Sequence, residues 1–162
     1  MKKAPSIVDR FHPDNIIPSG DDWIWVFGSN LKGRHGKGAA KVAHVSFGAR
    51  YGVGFGPTGR AYAIPTKALP TMEPHHVLPM ADIAAHITRF LEYARANPDK
   101  RFFVTAVGTG LSGIPDAEIA PLFAEAPANC SFPQQWSGFI EQPDPALAEA
   151  AQAPRPRERA AA

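Results

Sequence analysis

The stretch WIWVFGSNLKGRHGKGAA at residues 23–40 determines how the rest of the chain is arranged. Its first five residues, 23–27, are large and apolar, which is typical of a strand covered on both faces. A glycine-rich turn follows at 28–38, and the apolar pattern of 39–50 predicts a helix. Such a turn favours a phosphate ligand, because the helix start offers unpaired N–H groups and the positive end of the helix dipole.

The turn matches neither of the two best-known phosphate-binding motifs. A P-loop requires a glycine five residues before its Gly-Lys pair, but Leu31 stands five residues before Gly36. Gly38, rather than Ser or Thr, follows Lys37. The dinucleotide fingerprint requires the spacing GxGxxG, whereas the glycines here follow the spacing GxxGxG. The sequence therefore predicts a phosphate-type loop of another kind.

The composition is that of one soluble globular domain. The chain has 162 residues, of which 44% are hydrophobic and 20% charged, and a formal net charge of +2. That small charge argues against a large nucleic-acid face. The single cysteine, Cys130, excludes an internal disulfide and fits a reducing compartment, so we expect a cytoplasmic protein. No long apolar run is present, so no membrane partner is expected.

The remaining elements alternate between strands and helices. Strands are predicted at 60–67, at 101–107 and at 129–132, and the first of them is expected to stop at Pro65. Helices are predicted at 80–96 and at 116–125, and Asp116 is expected to be the N-cap of the second. This alternation predicts an α/β sheet with helices on both faces.

The organisation along the chain follows from shifts in composition. Residues 1–20 contain three prolines and no clear period, which indicates an extended lead-in. Residues 21–136 carry the alternating elements and form the predicted domain. Residues 137–162 consist largely of Ala, Pro, Glu and Arg, which predicts a disordered tail.

A second glycine-rich loop follows another buried strand. Residues 108–115, GTGLSGIP, lead from the strand at 101–107 towards a helix. Ligands of open α/β sheets bind beyond the carboxyl ends of strands. We therefore expect the two loops to hold opposite sides of one diphosphate.

These two loops together resemble the macrodomain family, whose members bind ADP-ribose and related NAD-derived nucleotides. The resemblance covers residues 22–133 and implies a three-layer α/β/α macrodomain-like fold with a central mixed sheet. It implies ADP-ribose or a related nucleotide, free or attached to a macromolecule, as the partner, with no cofactor and no metal, and with Asn30 on the distal ribose. The ligand-binding residues that it implies are Gly28, Ser29, Asn30, Gly33, Gly36, Gly38, Gly108, Thr109, Gly110, Leu111, Ser112, Gly113 and Ile114.

A narrower resemblance is to the terminal ADP-ribose glycohydrolase type. Those macrodomains carry a strand-ending Ile-Thr-Lys and a Gly-Cys-Gly-Leu-Asp loop, and their lysine and aspartate are implied in catalysis. The lysine has a counterpart in Lys67, but Ser112 occupies the aspartate position and the nearest acid is Asp116. Lys67 is therefore a candidate catalytic residue, a candidate partner of the diphosphate or a solvated loop lysine, and hydrolysis of an ADP-ribosyl bond is left open.

Two alternatives compete with these interpretations. The chain could be a non-catalytic interaction protein that has lost nucleotide binding, which would be favoured if Arg34, His35 or Lys37 filled the cleft. Separately, His75 and His76 behind Glu73 suggest a metal site. Adjacent histidines point apart in an extended chain, and no second cluster completes a site, so we favour a loop surface there and expect no metal.

Overall fold

The computed structural model describes residues 5–20, 22–71 and 73–141. Its centre is a six-stranded sheet in the order β1-β6-β5-β2-β4-β3, in which β3 and β4 are antiparallel and all other neighbours are parallel. The strands are β1 (Phe11–His12), β2 (Trp23–Asn30), β3 (Gly56–Thr58), β4 (Ala61–Lys67), β5 (Arg101–Val104) and β6 (Cys130–Pro133). The sheet is mixed, as the motifs imply.

Helices cover both faces of this sheet. They are α1 (Gly38–Phe47), α2 (Met80–Ala96) and the short α3 (Asp116–Ile119), which continues as a 3-10 turn over Ala120–Phe123. Side chains of β2 alternate between two cores: Trp25 and Phe27 pack with α1, and Val26 packs with α2 and α3. The predicted three-layer α/β/α arrangement is confirmed, and it is consistent with a macrodomain-like fold.

The α2 helix has the bounds and the buried face that its sequence predicts. Ile83, Ile87 and Phe90 are fully buried against the sheet, and the Phe90 ring meets that of Phe102 edge to face with centroids 5.5 Å apart. Burying a side chain of this size contributes about 1.5–3 kcal/mol. This face therefore anchors the helix that separates β4 from β5.

Several predicted boundaries are wrong near the cleft. The β2 strand continues through residues 28–30, because they pair with β4. The β4 strand does not stop at Pro65, which lies opposite Ser29 where a register shift accommodates its missing N–H. The α1 helix ends at Phe47 because Gly48 adopts a left-handed conformation, with φ of 72°.

The expected helix at 116–125 is also corrected. Only four residues are α-helical, and the rest tightens into a 3-10 turn around Pro121, which has no N–H to donate. Asp116 is not the N-cap, since Pro115 holds that position. The Asp116 carboxylate instead accepts a 2.6 Å hydrogen bond from the Trp136 indole N–H.

The lead-in and the end of the described chain both pack against the domain. The β1 strand pairs with β6, an element that the sequence did not predict, and β5 is three residues shorter than predicted. The buried Arg10 guanidinium donates hydrogen bonds to the carbonyls of Ala126, Pro127, Cys130 and Glu141. Ile140 is buried in the core. Of the predicted tail, residues 142–162 lie outside the described residues.

Chain order reverses at β2, which positions the site. The chain leaves β2 through α1 to reach β4 on one side, and then returns through α2 to β5 on the other side. The carboxyl ends of these three parallel strands meet at this switch point, where open α/β sheets form ligand crevices.

Candidate functional site

A cleft of about 880 Å³ lies at the carboxyl ends of β2, β4 and β5. Most of its lining comes from four segments: 28–42 from the end of β2 into α1, 66–71 from the end of β4 onward, 105–112 after β5, and 12–17 of the lead-in. The volume falls within the ~300–1,000 Å³ that is typical of small-molecule sites. The chain therefore carries a cavity of ligand size where the fold predicts one.

The two glycine-rich loops meet in this cleft. A Cβ atom placed on Gly28 would lie 3.2 Å from the backbone nitrogen of Gly108, tighter than ordinary contacts. Gly108 itself has φ of +81°, which a residue with a side chain adopts only under strain. These glycines allow the backbones of the two loops to approach each other directly.

Both loops present unpaired backbone N–H groups. Lys37, at the N-cap of α1, makes no side-chain capping bond, and within the described residues no acceptor takes the N–H groups of residues 38–40. The same is true of the N–H groups of residues 110–112. Both sets belong to residues that line the cleft. Unpaired N–H groups at a helix start and in a tight loop are donors for an anion.

Lys67 adds a positive charge to the cleft. It ends β4, is only 4% exposed and lines the cavity. Its ammonium donates to the carbonyls of Thr71 and Leu111, the second at 3.4 Å. Among the described residues, no carboxylate pairs with it. A buried charge without a counter-charge is costly, so the site is suited to an anionic ligand.

Within the described part of the chain, no carboxylate pairs with Lys67 to complete a lysine–aspartate pair. The Ser112 hydroxyl is 2.7 Å from the Thr66 hydroxyl, and both residues line the cleft. Asp116 is engaged by Trp136 and does not line the cavity. Among the described residues that line the cleft, the one acidic side chain is Asp14, which lies on the lead-in segment.

Most of the predicted binding residues lie around the cleft. Those that line it are Gly28, Ser29, Asn30, Gly36, Gly38, Gly108, Thr109, Gly110, Leu111 and Ser112. Gly33, Gly113 and Ile114 do not. A Cβ atom on Gly33 would come within 2.4 Å of the backbone at residues 52–53, so this glycine allows two loops to pack closely together. The Ile114 N–H closes its own loop by donating to the Gly108 carbonyl.

Asn30 and Ser29 both hold the first loop in shape. The Asn30 amide donates to the Arg34 carbonyl at 2.9 Å and accepts from the Arg34 N–H at 3.1 Å. The Ser29 hydroxyl donates to the carbonyl of Gly54. The contact of Asn30 with a ribose stays a prediction, and its observed bonds are those of a turn residue.

His35 does not lie in the cleft. Its ring is fully buried beneath the 50–54 loop, with Nε2 3.0 Å from the Arg50 carbonyl oxygen and its plane stacked near that of Tyr51. Burial lowers the pKa of His35. Arg34 and Lys37 line the cleft and are exposed. With these three side chains present, the cleft has its volume of about 880 Å³, so they do not fill it.

The lead-in forms a wall of the site that the sequence did not predict. His12 stacks on Phe103 with ring centroids 3.7 Å apart, and its Nδ1 lies 2.8 Å from the Ser131 hydroxyl. Burial lowers the pKa of His12 to about 4, so it is uncharged at neutral pH. Beyond it, Asp14 and residues 15–17 line the cavity. No periodic pattern in these residues signals this position.

Two other features carry no role in the cleft. Cys130 is buried in β6, where burial raises the pKa of its thiol to about 12, so it is a core residue and not a nucleophile. No helix in the described part of the chain combines the length and apolarity needed to cross a membrane.

Comparisons with known proteins are sparse. No protein-family model and no curated protein matches the chain. A solved structure of Thermosipho africanus DarTG in complex with ADP-ribose is similar at 16% identity and a TM-score of 0.44. That similarity covers 76% of this chain, which spans 40% of the DarTG chain. At this level the similarity carries no argument about the ligand of this chain.

Proposed function

We propose that the cleft of this macrodomain-like domain binds ADP-ribose or a related nucleotide diphosphate. The observation that carries the proposal is the meeting of two sets of unpaired N–H groups, at residues 38–40 and 110–112, around one cavity. Two phosphates joined by one bridge match two donor sets better than a single phosphate does. The Lys67 ammonium, which has no carboxylate partner among the described residues, supplies charge compensation from the same cavity.

The rest of the cleft divides into a charged rim and an apolar wall. Arg34 and Lys37 are exposed at the rim, where they attract anions from solution. Ile16, Ala39 and Val42 line the cavity with apolar surface. A nucleotide base is flat and largely apolar, so it fits this wall while the diphosphate lies between the loops. The predicted contact of Asn30 with the distal ribose belongs to this arrangement.

Titration calorimetry of the full chain with ADP-ribose tests the proposal. We expect saturable binding of one ligand per chain, with weaker binding of AMP, because a single phosphate fills one donor set. Inorganic phosphate serves as the control for simple charge. The absence of heat at millimolar ADP-ribose would remove the proposal and favour the non-catalytic interaction protein on the same scaffold.

Hydrolysis of an ADP-ribosyl bond is a second candidate, because Lys67 lines the cleft at a buried position. A buried lysine can act as a nucleophile when it reaches the reacting carbon. The missing neighbouring carboxylate sets this chain apart from the lysine–aspartate pattern. Release of ADP-ribose from a modified protein should be abolished by Lys67→Ala, and an unchanged rate would rule out a catalytic Lys67.

A further inference from the structure

The segment between β4 and α2 holds three metal-ligating side chains close together. Residues Pro74–His76 form a 3-10 turn instead of an extended chain. The turn brings the rings of His75 and His76 to a centroid distance of 4.2 Å, at 62° to each other. One of the two reasons for expecting a plain loop surface, that adjacent histidines point apart, does not hold here.

We propose that Glu73, His75 and His76 bind a divalent transition-metal ion, with Zn²⁺ as the best match. The Glu73 Oε2 atom is 3.0 Å from His75 Nε2 and 4.0 Å from His76 Nε2. One ligand atom from each residue lies within 4.8 Å of the other two. Zinc bonds of ~2.0–2.2 Å in a tetrahedron place ligand atoms roughly 3.4 Å apart. Small side-chain rotations therefore suffice to close the site.

Thr71 orients one of these ligands. Its hydroxyl is hydrogen-bonded to His76 Nδ1, which directs the other ring nitrogen, Nε2, towards Glu73. It also accepts a 3.3 Å hydrogen bond from the Glu73 N–H. Metal-binding histidines usually bond their second ring nitrogen to an oxygen in this way, which fixes the tautomer and the ring plane.

The donor set determines which ion fits. Two imidazoles and one carboxylate favour zinc and neighbouring first-row metals, whereas magnesium and calcium prefer oxygen ligands alone. Three protein ligands leave a fourth position for water or another molecule. Glu73 and His75 are exposed, so an ion can enter directly from solution.

The site is connected to the cleft through Thr71. The main-chain carbonyl of Thr71 accepts a hydrogen bond from the Lys67 ammonium, while its hydroxyl holds His76. The backbone after His76 is tied to β4, since the Leu78 N–H donates to the Thr66 carbonyl at 2.8 Å, and the Ala68 N–H just after the strand donates to the His76 carbonyl at 2.8 Å. A bound ion would therefore order the segment that positions Lys67, although metal binding itself does not depend on the proposed nucleotide.

The test is calorimetric titration of the full chain, without an affinity tag, with Zn²⁺ alone in a non-coordinating buffer. We expect one ion per chain, and loss of that binding in both His75→Ala and His76→Ala. Thr71→Val keeps all three ligands and should weaken binding by about tenfold. His86→Ala is the matched control, because His86 is a partly exposed histidine on α2 outside the group.

Cobalt substitution gives an independent readout of the geometry. Co²⁺ in the wild-type chain should show the intense visible bands of a four-coordinate ion, and these should disappear in His76→Ala. Circular dichroism confirms that each variant is folded. Either the absence of stoichiometric binding at millimolar Zn²⁺ or an equal loss in the His86→Ala control would overturn the proposal.

Discussion

Replacing Lys67 with methionine tests whether the buried ammonium binds an anion. Methionine keeps most of the length and the apolar stem of lysine but removes the charge and the N–H donors. Among the described residues of the wild-type chain, the hydrogen-bond partners of the ammonium are the carbonyls of Thr71 and Leu111. Removing the ammonium should therefore weaken the binding of a negatively charged ligand, and it should not break an existing ion pair.

The magnitude follows from the burial of Lys67. A hydrogen bond to a charged group contributes a net ~1.5–3 kcal/mol. Since 1.4 kcal/mol corresponds to a factor of ten, ADP-ribose should bind roughly 10–100-fold more weakly to Lys67→Met. The upper half of that range is expected, because Lys67 is 4% exposed and has already lost its hydration before the ligand arrives.

The same substitution should not destabilise the protein without ligand. Removing an ammonium that has no counter-charge relieves an unfavourable burial, and this gain offsets the loss of the hydrogen bonds to the Thr71 and Leu111 carbonyls, so the free energy of unfolding is expected to change little. A fall in affinity combined with retained stability separates loss of a ligand contact from general damage. Urea unfolding of both proteins provides the comparison.

Calorimetry with ADP-ribose is the assay, and Lys41→Met is the matched control. Lys41 is an exposed lysine of α1 that does not line the cleft. Lys41→Met changes the net charge of the protein by the same amount as Lys67→Met, so both variants lose the same long-range attraction for an anionic ligand. Equal affinities of Lys67→Met and Lys41→Met would refute the reasoning.

Three further predictions concern the loops and the lead-in. Gly28→Ala should weaken ADP-ribose binding by about tenfold, because the added Cβ would push against the Gly108 backbone. Calorimetry should show no such loss of affinity in Gly138→Ala, where an added Cβ meets nothing within 4 Å. Gly33→Ala should lower the free energy of urea unfolding by at least about 1–2 kcal/mol, because φ is +68° and the added Cβ overlaps backbone; a smaller change would contradict the packing described. The pKa of His12 falls from 6.5 unfolded to about 4 folded, so the unfolded chain binds more protons and stability should decrease as pH drops through that window. His12→Phe should show a shallower decrease in urea unfolding across the same window, and an identical slope would argue against this contribution.

The central part of the fold was predictable because its residues make strong local patterns. The apolar run before Gly28 and the three- and four-residue spacing of Ile83, Ile87 and Phe90 each define an element without tertiary information. The meeting of the two loops followed from the alternation of strands and helices, since parallel strands end at the same edge of a sheet. In the structure, residues of both loops line one cleft, and their binding of a diphosphate stays a prediction.

The errors arose where tertiary contacts outweigh local preference. Aspartate is a common N-cap residue, but the Asp116 carboxylate instead accepts a hydrogen bond from the Trp136 indole, twenty residues away. For His35 the sequence predicted no position, and its burial under the 50–54 loop is a tertiary contact that no neighbouring residue signals. A strand of two residues such as β1 cannot show a period, so the lead-in wall was missed.

The central claim, that both loops bind one diphosphate, is tested most directly by amide NMR during an ADP-ribose titration. The N–H signals of residues 38–40 and 110–112 should shift together along one saturation curve, with the same dissociation constant for both sets, while the Gly138 signal stays in place. Shifts confined to one loop, or none at millimolar ADP-ribose, would contradict the account.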